Sequence, residues 1–210
     1  MTAILKVDTI QDTSGNNIIN ENSNTITIGA SGDTITIPSG ATLDGSNATL
    51  SGFATTNGIT MADQWRVTTG FTGNSEPITS NWERNDTAPA LSYFGSQMTE
   101  SSGVFTFPST GYWQVTAKGY ITVNADTSAV IAIKTTNNNS TYSNVSYTGG
   151  GERSANDAVF NIETSIILEI DDISNDKVKF ATSSLTAGST VHGAASGLET
   201  RFTFVKLGDL

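Results

Sequence analysis

Residues 103–123 read GVFTFPSTGYWQVTAKGYITV and contain the clearest structural signal in the sequence. Apolar side chains alternate with polar ones on both sides of a Pro-Ser-Thr-Gly segment, and this pattern is typical of two β-strands joined by a turn. Four further strands are predicted at residues 128–135, 159–171, 177–182 and 200–207. Because no segment shows a convincing helical period, the sequence predicts an all-β sandwich or jelly roll.

The composition also favours β-structure. Thr, Ser and Asn number 33, 24 and 18 of the 210 residues, and charged residues make up only 14%. An average soluble protein has about 25% charged residues. A chain rich in β-branched and turn-forming residues and poor in Lys, Glu and Leu is a poor helix former. We therefore expect an all-β protein that works outside a cell or on the surface of a particle.

The charge argues against two classes of partner. The formal net charge is -10, whereas nucleic-acid-binding proteins carry clustered Lys and Arg, and anionic membranes repel an acidic surface. The longest apolar run, residues 129–133, has five residues, and a membrane span requires about 18. We expect no nucleic-acid partner and no membrane insertion.

Enzymatic chemistry and cofactors are not expected either. The chain has no Cys and one His, His192, so thiolate catalysis, disulfides and ordinary transition-metal sites lack their ligands. The sequence contains no G-x-S-x-G, P-loop or G-x-G-x-x-G motif. Glycoside hydrolysis needs only two carboxylates about 5–9.5 Å apart, so a glycan-cleaving spike stays open as a less favoured alternative.

The sequence changes character near residue 64. Residues 1–64 contain one basic residue and one aromatic residue, whereas residues 65–210 contain nine basic residues and 16 of the 17 aromatics. Since aromatic side chains supply much of the buried area of a core, residues 65–210 are predicted to form a knob domain with its own core. Residues 1–64 are predicted to form an attachment segment and a β-rich stalk that cannot fold alone.

Short repeats support the stalk. Thr-Ile-Thr-Ile occurs at residues 25–28 and 34–37, and both copies are predicted to be strands. Each unit has an apolar face that one chain cannot bury but three copies around an axis can. A flexible Ser/Thr/Gly linker is the alternative. The predicted core of the trimeric stalk consists of Ile26, Ile28, Ile35, Ile37, Leu43 and Leu50.

Three segments of the knob resemble the globular head of the complement first component and its tumour-necrosis-factor relatives. Residues 103–113 are similar to that family's G-x-F-x-x-P-x-x-G-x-Y pattern. Residues 165–170 and 175–178 resemble its late hairpin, and residues 200–207 resemble its last strand. The resemblance implies a ten-stranded jelly roll assembled as a homotrimer, with Phe202 and Phe204 at the trimer core of the knob.

The stalk resembles a different group. Val-Asp-Thr-Ile at residues 7–10, followed by Gly15 and the Thr-Ile-Thr-Ile repeats, resembles the stalks of marine, cyanophage-like tailed-phage virion proteins. The two resemblances together imply a non-enzymatic virion structural protein: a homotrimeric phage fibre or spike whose knob attaches to the host surface. It would be made in the host cytoplasm and carried on the particle surface. A capsid decoration or head-fibre protein that coats or stabilises the shell without binding a receptor is the alternative.

The N-terminal residues are the most apolar part of the stalk. We predict that Ile4, Leu5, Val7 and Ile10 dock the chain onto a neighbouring tail or capsid protein. An ordinary first strand of the stalk is the alternative.

Two clusters in the knob are candidate sites. Glu169, Asp171, Asp172 and Asp176 form the densest acidic cluster, and some relatives of the resembled family bind calcium near the trimer apex. The spacing is not that of an EF-hand loop, so a hairpin with solvated carboxylates is the favoured interpretation and no metal is assigned.

The second cluster lies in the loop-like segment 136–153, which is predicted to hold loops and one edge strand. Tyr and Asn side chains suit stacking and hydrogen bonding to a sugar or a protein. Ordinary solvated turns are the alternative. The predicted receptor contacts are Asn137, Asn138, Asn139, Tyr142, Asn144 and Tyr147.

Overall fold

A computed structural model of the chain describes residues 9–15, 17–23, 25–29, 31–42, 58–90, 92–151, 156–186 and 188–210. These residues form strands, turns and irregular segments, and the described ranges contain no helix. It follows that no described helix is long and apolar enough to cross a membrane. The chain divides into two compact units, Met1–Phe53 and Ala54–Leu210, which we call the first unit and the head.

The first unit contains an antiparallel sheet of three short strands: β1 (Thr9–Gln11), β2 (Asn17–Asn22) and β3 (Thr25–Ile28). The register places Ile10 opposite Ile19 and Ile19 opposite Ile28. We call these three residues the isoleucine row. All three are exposed in the single chain, by 40%, 37% and 55%.

The prediction of a strand at residues 34–37 is wrong for the single chain. This segment is irregular and forms no ladder with any described strand. An isolated extended segment has no partner for its backbone N–H and C=O groups, so it does not qualify as part of a sheet. Residues 25–28, by contrast, pair with β2 and are a strand as predicted.

The head contains thirteen strands within its described residues, several of them only two or three residues long. The predicted count of ten is therefore not confirmed. The strands are β4 (Ala62–Val67), β5 (Thr69–Thr72), β6 (Trp82–Arg84), β7 (Tyr93–Phe94), β8 (Thr99–Ser101), β9 (Val104–Thr106), β10 (Gly111–Asn124), β11 (Ser128–Thr136), β12 (Ser143–Gly151), β13 (Asn156–Ile170), β14 (Lys177–Ser183), β15 (Thr190–Ala194) and β16 (Arg201–Gly208).

These strands form two antiparallel sheets. The larger sheet has eight strands in the order β5-β15-β10-β16-β4-β6, with β13 also paired to β10 and β7 to β4. Strand β10 is its centre, because β13 pairs along one edge while β16 and β15 share the other. The smaller sheet has the order β12-β11-β14-β9-β8. The described chain is thus all-β, as the sequence predicts.

The core of the head contains a cluster of aromatic rings from both sheets. The Phe105 ring centroid lies 5.3 Å from Trp65, 4.8 Å from Trp82, 5.4 Å from Phe180 and 5.2 Å from Phe204. Several of these pairs meet edge to face, which aromatic rings prefer because of their quadrupoles. The aromatic residues of the second part of the sequence therefore do build its core.

The prediction that Phe202 and Phe204 line a trimer axis is wrong. Both side chains are completely buried within one chain, and the Phe202 ring lies 4.3 Å from that of Phe180. Successive residues of a strand face opposite sides of the sheet. In β16 the outward face, the one turned away from the core, consists of Arg201, Thr203, Val205 and Leu207.

Two glycines in the first quoted stretch have backbone conformations that other residues avoid. Gly103 has φ = 81°, and a Cβ there would lie 2.3 Å from the backbone oxygen of Ile78. Gly111 has φ = 135°, and its Cβ would lie 2.4 Å from the oxygen of Gly208. Each glycine permits a close approach of two backbones, which explains its place at the start of β9 or β10.

Candidate functional site

The predicted receptor contacts lie on the connection between β11 and β12 and on β12 itself. Strand β12 is the edge strand expected in this segment. The connection is an ordered turn, since the Asn138 side-chain oxygen accepts hydrogen bonds from the Thr136 hydroxyl (2.8 Å) and from the backbone N–H groups of Ser140 (3.0 Å) and Thr141 (2.9 Å). Asn138 therefore shapes the turn, which is the local role that Asn commonly has.

Asn139 has a similar structural role. It has φ = 51°, a left-handed conformation that Asn tolerates better than most residues. Its backbone N–H donates to the carbonyl oxygen of Asn175 at 3.1 Å, on the turn between β13 and β14. The two turns are thereby tied together.

Tyr142 and Tyr147 differ in burial. Tyr142 is half-buried, burial raises the pKa of its hydroxyl above the usual range, and the Lys179 ammonium lies 3.8 Å from its ring centroid. Tyr147 is 68% exposed and pairs with Ala132 in the register of β11 and β12. Tyr147 is thus available to a partner, while Tyr142 is part of a packed arrangement with a lysine.

The register joins these residues into one surface of the smaller sheet. Asn144 lies opposite Lys134, and Lys134 lies opposite Lys179 on the next strand. We call the surface formed by Lys134, Lys179, Tyr142, Asn144 and Tyr147 the outer lysine face.

A cavity of about 260 Å³ opens at this face. It is lined by two lysines, one carboxylate, one aromatic ring and two small residues: Lys134, Lys179, Glu76, Tyr142, Pro77 and Ser140. Glu76 pairs with the Lys134 ammonium. In the part of the chain that the structure describes, Lys179 makes no ion pair, and its ammonium contacts the Tyr142 ring instead.

A second cavity, of about 270 Å³, lies on the other side of the same turn. The Lys177 ammonium at its wall donates to the backbone oxygen of Ile173 at 2.5 Å, and Asn137 also contributes to the wall. The lining residues are Thr135, Thr136, Asn137, Thr141, Ser143, Leu168, Glu169, Ile170, Asp176 and Lys177.

Three members of the acidic cluster, Asp171, Asp172 and Asp176, lie in the turn between β13 and β14, and Glu169 lies in β13. Asp176 is buried, and its carboxylate accepts the backbone N–H groups of Asp171 (3.0 Å) and Asp172 (2.9 Å). Hydrogen bonds from Asn175 and Ser174 hold the pKa of the Asp172 carboxyl below its usual range. The described residues contain no group of three His, Cys, Asp or Glu side chains placed to hold a metal ion. The interpretation as solvated carboxylates needs correction at Asp176, whose buried carboxylate closes the turn before β14.

His192 lies in strand β15. Its Nε2 is 2.7 Å from the Thr122 hydroxyl, and its ring lies 4.9 Å from the Tyr120 ring. These contacts place His192 on the outward face of the larger sheet.

The predicted stalk and anchor residues are only partly described. Ile26, Ile28, Ile35 and Ile37 are exposed by 68%, 55%, 59% and 47% in the single chain. The trimeric core assigned to them stays a prediction. Ile4, Leu5, Val7, Leu43 and Leu50 lie outside the described residues.

The sequence interpretation missed the cations of the outer lysine face. Lys134 and Lys179 are 45 positions apart and lie on separate strands, and only the pairing of β11 with β14 brings them together. It also missed the ion pair between Asp63 and Arg84. The buried Asp63 carboxylate accepts hydrogen bonds from Arg84 Nε at 2.9 Å and from the Met98 backbone N–H at 2.8 Å. The alternation of each strand was the available signal, but alternation does not reveal which strands are neighbours.

Comparison with known proteins defines the fold of the head. No protein-family model and no curated protein matches the sequence. Structures of murine APRIL at pH 8.5 and pH 5.0 align with TM-scores of 0.50 and 0.51 at 9% and 10% identity, over 70% of this chain and 98% of APRIL. The structure of Eiger TNF from S. frugiperda aligns with a TM-score of 0.51 at 13% identity, over 72% of this chain and 94% of Eiger. The head is a tumour-necrosis-factor-like jelly roll, and at these identities the likeness concerns the fold alone.

Proposed function

We propose that this protein is a non-enzymatic virion structural protein, a homotrimeric phage fibre or spike whose head attaches to the host surface. The exposed isoleucine row of the first unit carries the proposal. The apolar face of a sheet is buried when another layer packs against it, and further copies of the same chain would supply such a layer. The likeness of the first residues to phage stalk sequences supports the location on a virion.

The head has a second surface suited to the homotrimer. On the outward face of the larger sheet, Tyr112, Val159, Ile167 and Leu207 are exposed. In the register, Gln114 of β10 lies between Ile167 of β13 and Val205 of β16, so apolar side chains of the two flanking strands surround a polar one on the central strand. Exposed apolar side chains gathered on one face of a sheet are typical of a protein interface. We assign the trimer contact of the head to this face, in place of Phe202 and Phe204.

The outer lysine face is the proposed attachment surface. It belongs to the other sheet, so the contacts between copies leave it accessible. Its exposed Tyr147 and the amide of Asn144 offer stacking area and hydrogen bonds, which is the chemistry of many recognition surfaces.

Binding of the purified protein to host cells tests this function. Labelled wild-type protein should bind, and Tyr147→Ala should weaken binding, since loss of an aromatic contact costs about 1–2 kcal/mol per site and three linked sites multiply the loss. Tyr93→Ala is the matched control, because it changes a tyrosine of β7 that is 45% exposed and belongs to neither proposed surface. Binding by the wild type that neither change affects would remove the assigned surface. Absence of cell binding, together with a shell less resistant to heat when the protein is missing, would identify a decoration protein instead.

The N-terminal anchor is tested separately. Deletion of residues 1–8 leaves β1 and the isoleucine row in the chain. It should leave a soluble trimer that no longer enters particles, because the proposed docking residues Ile4, Leu5 and Val7 are lost. Quantifying the protein in purified particles measures this directly. Unchanged incorporation would show that the first residues are not the anchor.

A further inference from the structure

From the geometry of the outer lysine face we infer that its cavity binds the carboxylate of an acidic sugar residue. The inference rests on the proposed attachment function and names the chemical class of the ligand.

The wall of this cavity contains two lysines but only one carboxylate. Lys134 and Lys179 are directly opposite each other on β11 and β14, where Cβ atoms of paired residues are about 4.5–5.5 Å apart and like charges repel. Glu76 compensates Lys134 alone, so the cavity wall carries one more positive than negative charge. In a chain of net charge -10, this is a local reversal of sign. A bound anion would complete the pairing.

The ammonium that has no ion-pair partner among the described residues, that of Lys179, is held in a defined position. The Lys179 side chain is partly exposed and held 3.8 Å from the centroid of the Tyr142 ring. A cation–π contact of this kind fixes a flexible lysine side chain in one place. Less conformational entropy is then lost when the ammonium receives a second, anionic partner.

The size of the cavity and the polar and aromatic groups beside it favour a sugar over other anions. The cavity, at about 260 Å³, is close to the lower end of the range for small-molecule sites, roughly 300 Å³, so it accommodates one ring-sized group. The amide of Asn144 and the exposed ring of Tyr147 share the outer lysine face. Stacking and hydrogen bonding beside a cationic pocket suit a chain of sugars with one carboxylated residue in the cavity.

The full-length protein is titrated with trigalacturonate, and saturation-transfer NMR measures the binding at each step. Maltotriose serves as a neutral sugar of the same length, and a trimer of glutamate serves as an anionic peptide. Trigalacturonate should bind, and more salt should weaken it because the contact is ionic. Lys179→Gln should reduce its affinity about tenfold or more, as expected when a charged hydrogen bond is lost.

The matched control is Lys118→Gln, a lysine on the outward face of the larger sheet, which should leave the affinity unchanged. Lys179→Gln removes both the like-charge contact with Lys134 and the cation–π contact with Tyr142. Because these two contacts act on stability in opposite directions, the unfolding midpoint should stay close to that of the wild type. Lost binding by a variant with an unchanged midpoint would not reflect unfolding.

The remaining outcomes separate this inference from the attachment function. Equal binding of maltotriose, preference for the glutamate peptide, or trigalacturonate binding that ignores Lys179→Gln would overturn the acidic-sugar site. If any of these occurred while cells still bound in a Tyr147-dependent manner, the attachment function would stand without it. Lys179-dependent binding of trigalacturonate without binding to host cells would support the site and refute the attachment function.

Discussion

The two units of this chain treat their apolar side chains in opposite ways. The head buries a cluster of aromatic residues between two sheets, and Phe105, Phe180, Phe202 and Phe204 have no exposed surface. In the described residues of the first unit there is one small sheet, and its isoleucine row stays exposed. Both units use short alternating strands, so the strand pattern alone does not decide whether a chain can close its own core.

The two units differ because, within the part of the chain that the structure describes, only the head has a second sheet that covers the apolar face of the first. A strand has two faces, and the apolar one is buried only when another layer covers it. In the head the second layer belongs to the same chain. We expect the second layer of the first unit to come from other copies of the chain, and variants in each unit test this expectation.

The largest effect is expected in the core of the head. Phe204→Ala should lower the free energy of unfolding by about 3–5 kcal/mol, because it leaves a cavity among packed rings. Thr203→Ala, the neighbouring residue on the outward face, should cost less than about 1 kcal/mol. Urea unfolding followed by tryptophan fluorescence measures both. Equal effects would mean that the two faces of β16 do not differ as the burial pattern indicates.

A slightly smaller loss is expected for the buried ion pair. Asp63→Ala should destabilise the head by about 3 kcal/mol, since it leaves the Arg84 guanidinium and the Met98 N–H without their carboxylate. Asp171→Ala, which removes an exposed carboxylate from a turn, should change stability by no more than about 0.5 kcal/mol. The same unfolding experiment compares the two variants. A small loss of unfolding free energy for Asp63→Ala would show that solvent replaces the lost carboxylate.

The strand pattern predicted part of this structure well, for a physical reason. Strands β10, β11, β13, β14 and β16 all match predicted segments. Burial alternates along β10 and β16, and this alternation is visible in the sequence. Strands β11 and β14 each bury three consecutive residues, and their β-branched and apolar side chains still mark them as strands. Strand β15 was hidden, since its Thr, Val, His, Gly and Ala residues lack strong alternation. The shortest strands of the head show too few residues for any period to appear.

The site was less predictable than the strands. Tyr142 and Tyr147 were predicted as contact residues from their residue type, and that prediction remains to be tested. Their cationic neighbours depend on strand pairing, which a single sequence does not specify. Phe202 and Phe204 show a related limit. Alternation placed them on one face of β16, yet only the second sheet determines that this face is the interior of one chain and not an interface between chains.

The third prediction concerns the first unit. Ile19→Ser combined with Ile28→Ser should speed amide exchange in β2 and β3 by about tenfold or more, because the small sheet loses its apolar face. Exchange in the head should not change. Hydrogen–deuterium exchange with mass spectrometry resolves the two units. Exchange that stays slow in β2 and β3 would show that the isoleucine row contributes nothing to their stability.

The smallest effect is a dependence on pH in the head. Hydrogen bonds from the Ser189 hydroxyl and the Thr186 N–H hold the pKa of the Asp126 carboxyl below its usual range. A lowered folded pKa contributes stability above the unfolded pKa of about 3.9 and loses it as the pH falls through the folded value. Asp126→Asn should therefore destabilise the head at neutral pH but not in strong acid. Asp171→Asn is the control. The midpoint of thermal unfolding of both variants and the wild type is compared from about pH 2 to about pH 7.

The mass of the full-length protein in solution tests most directly whether copies of the chain cover the surfaces that one chain leaves exposed. The chain has a mass of 22.0 kDa, so a homotrimer has about three times that mass, near 66 kDa. Light scattering coupled to size exclusion, with the sample diluted into the micromolar range, should give this value throughout. A stable monomer of 22.0 kDa would contradict the account, because the isoleucine row and the outward face of the larger sheet would then remain in water.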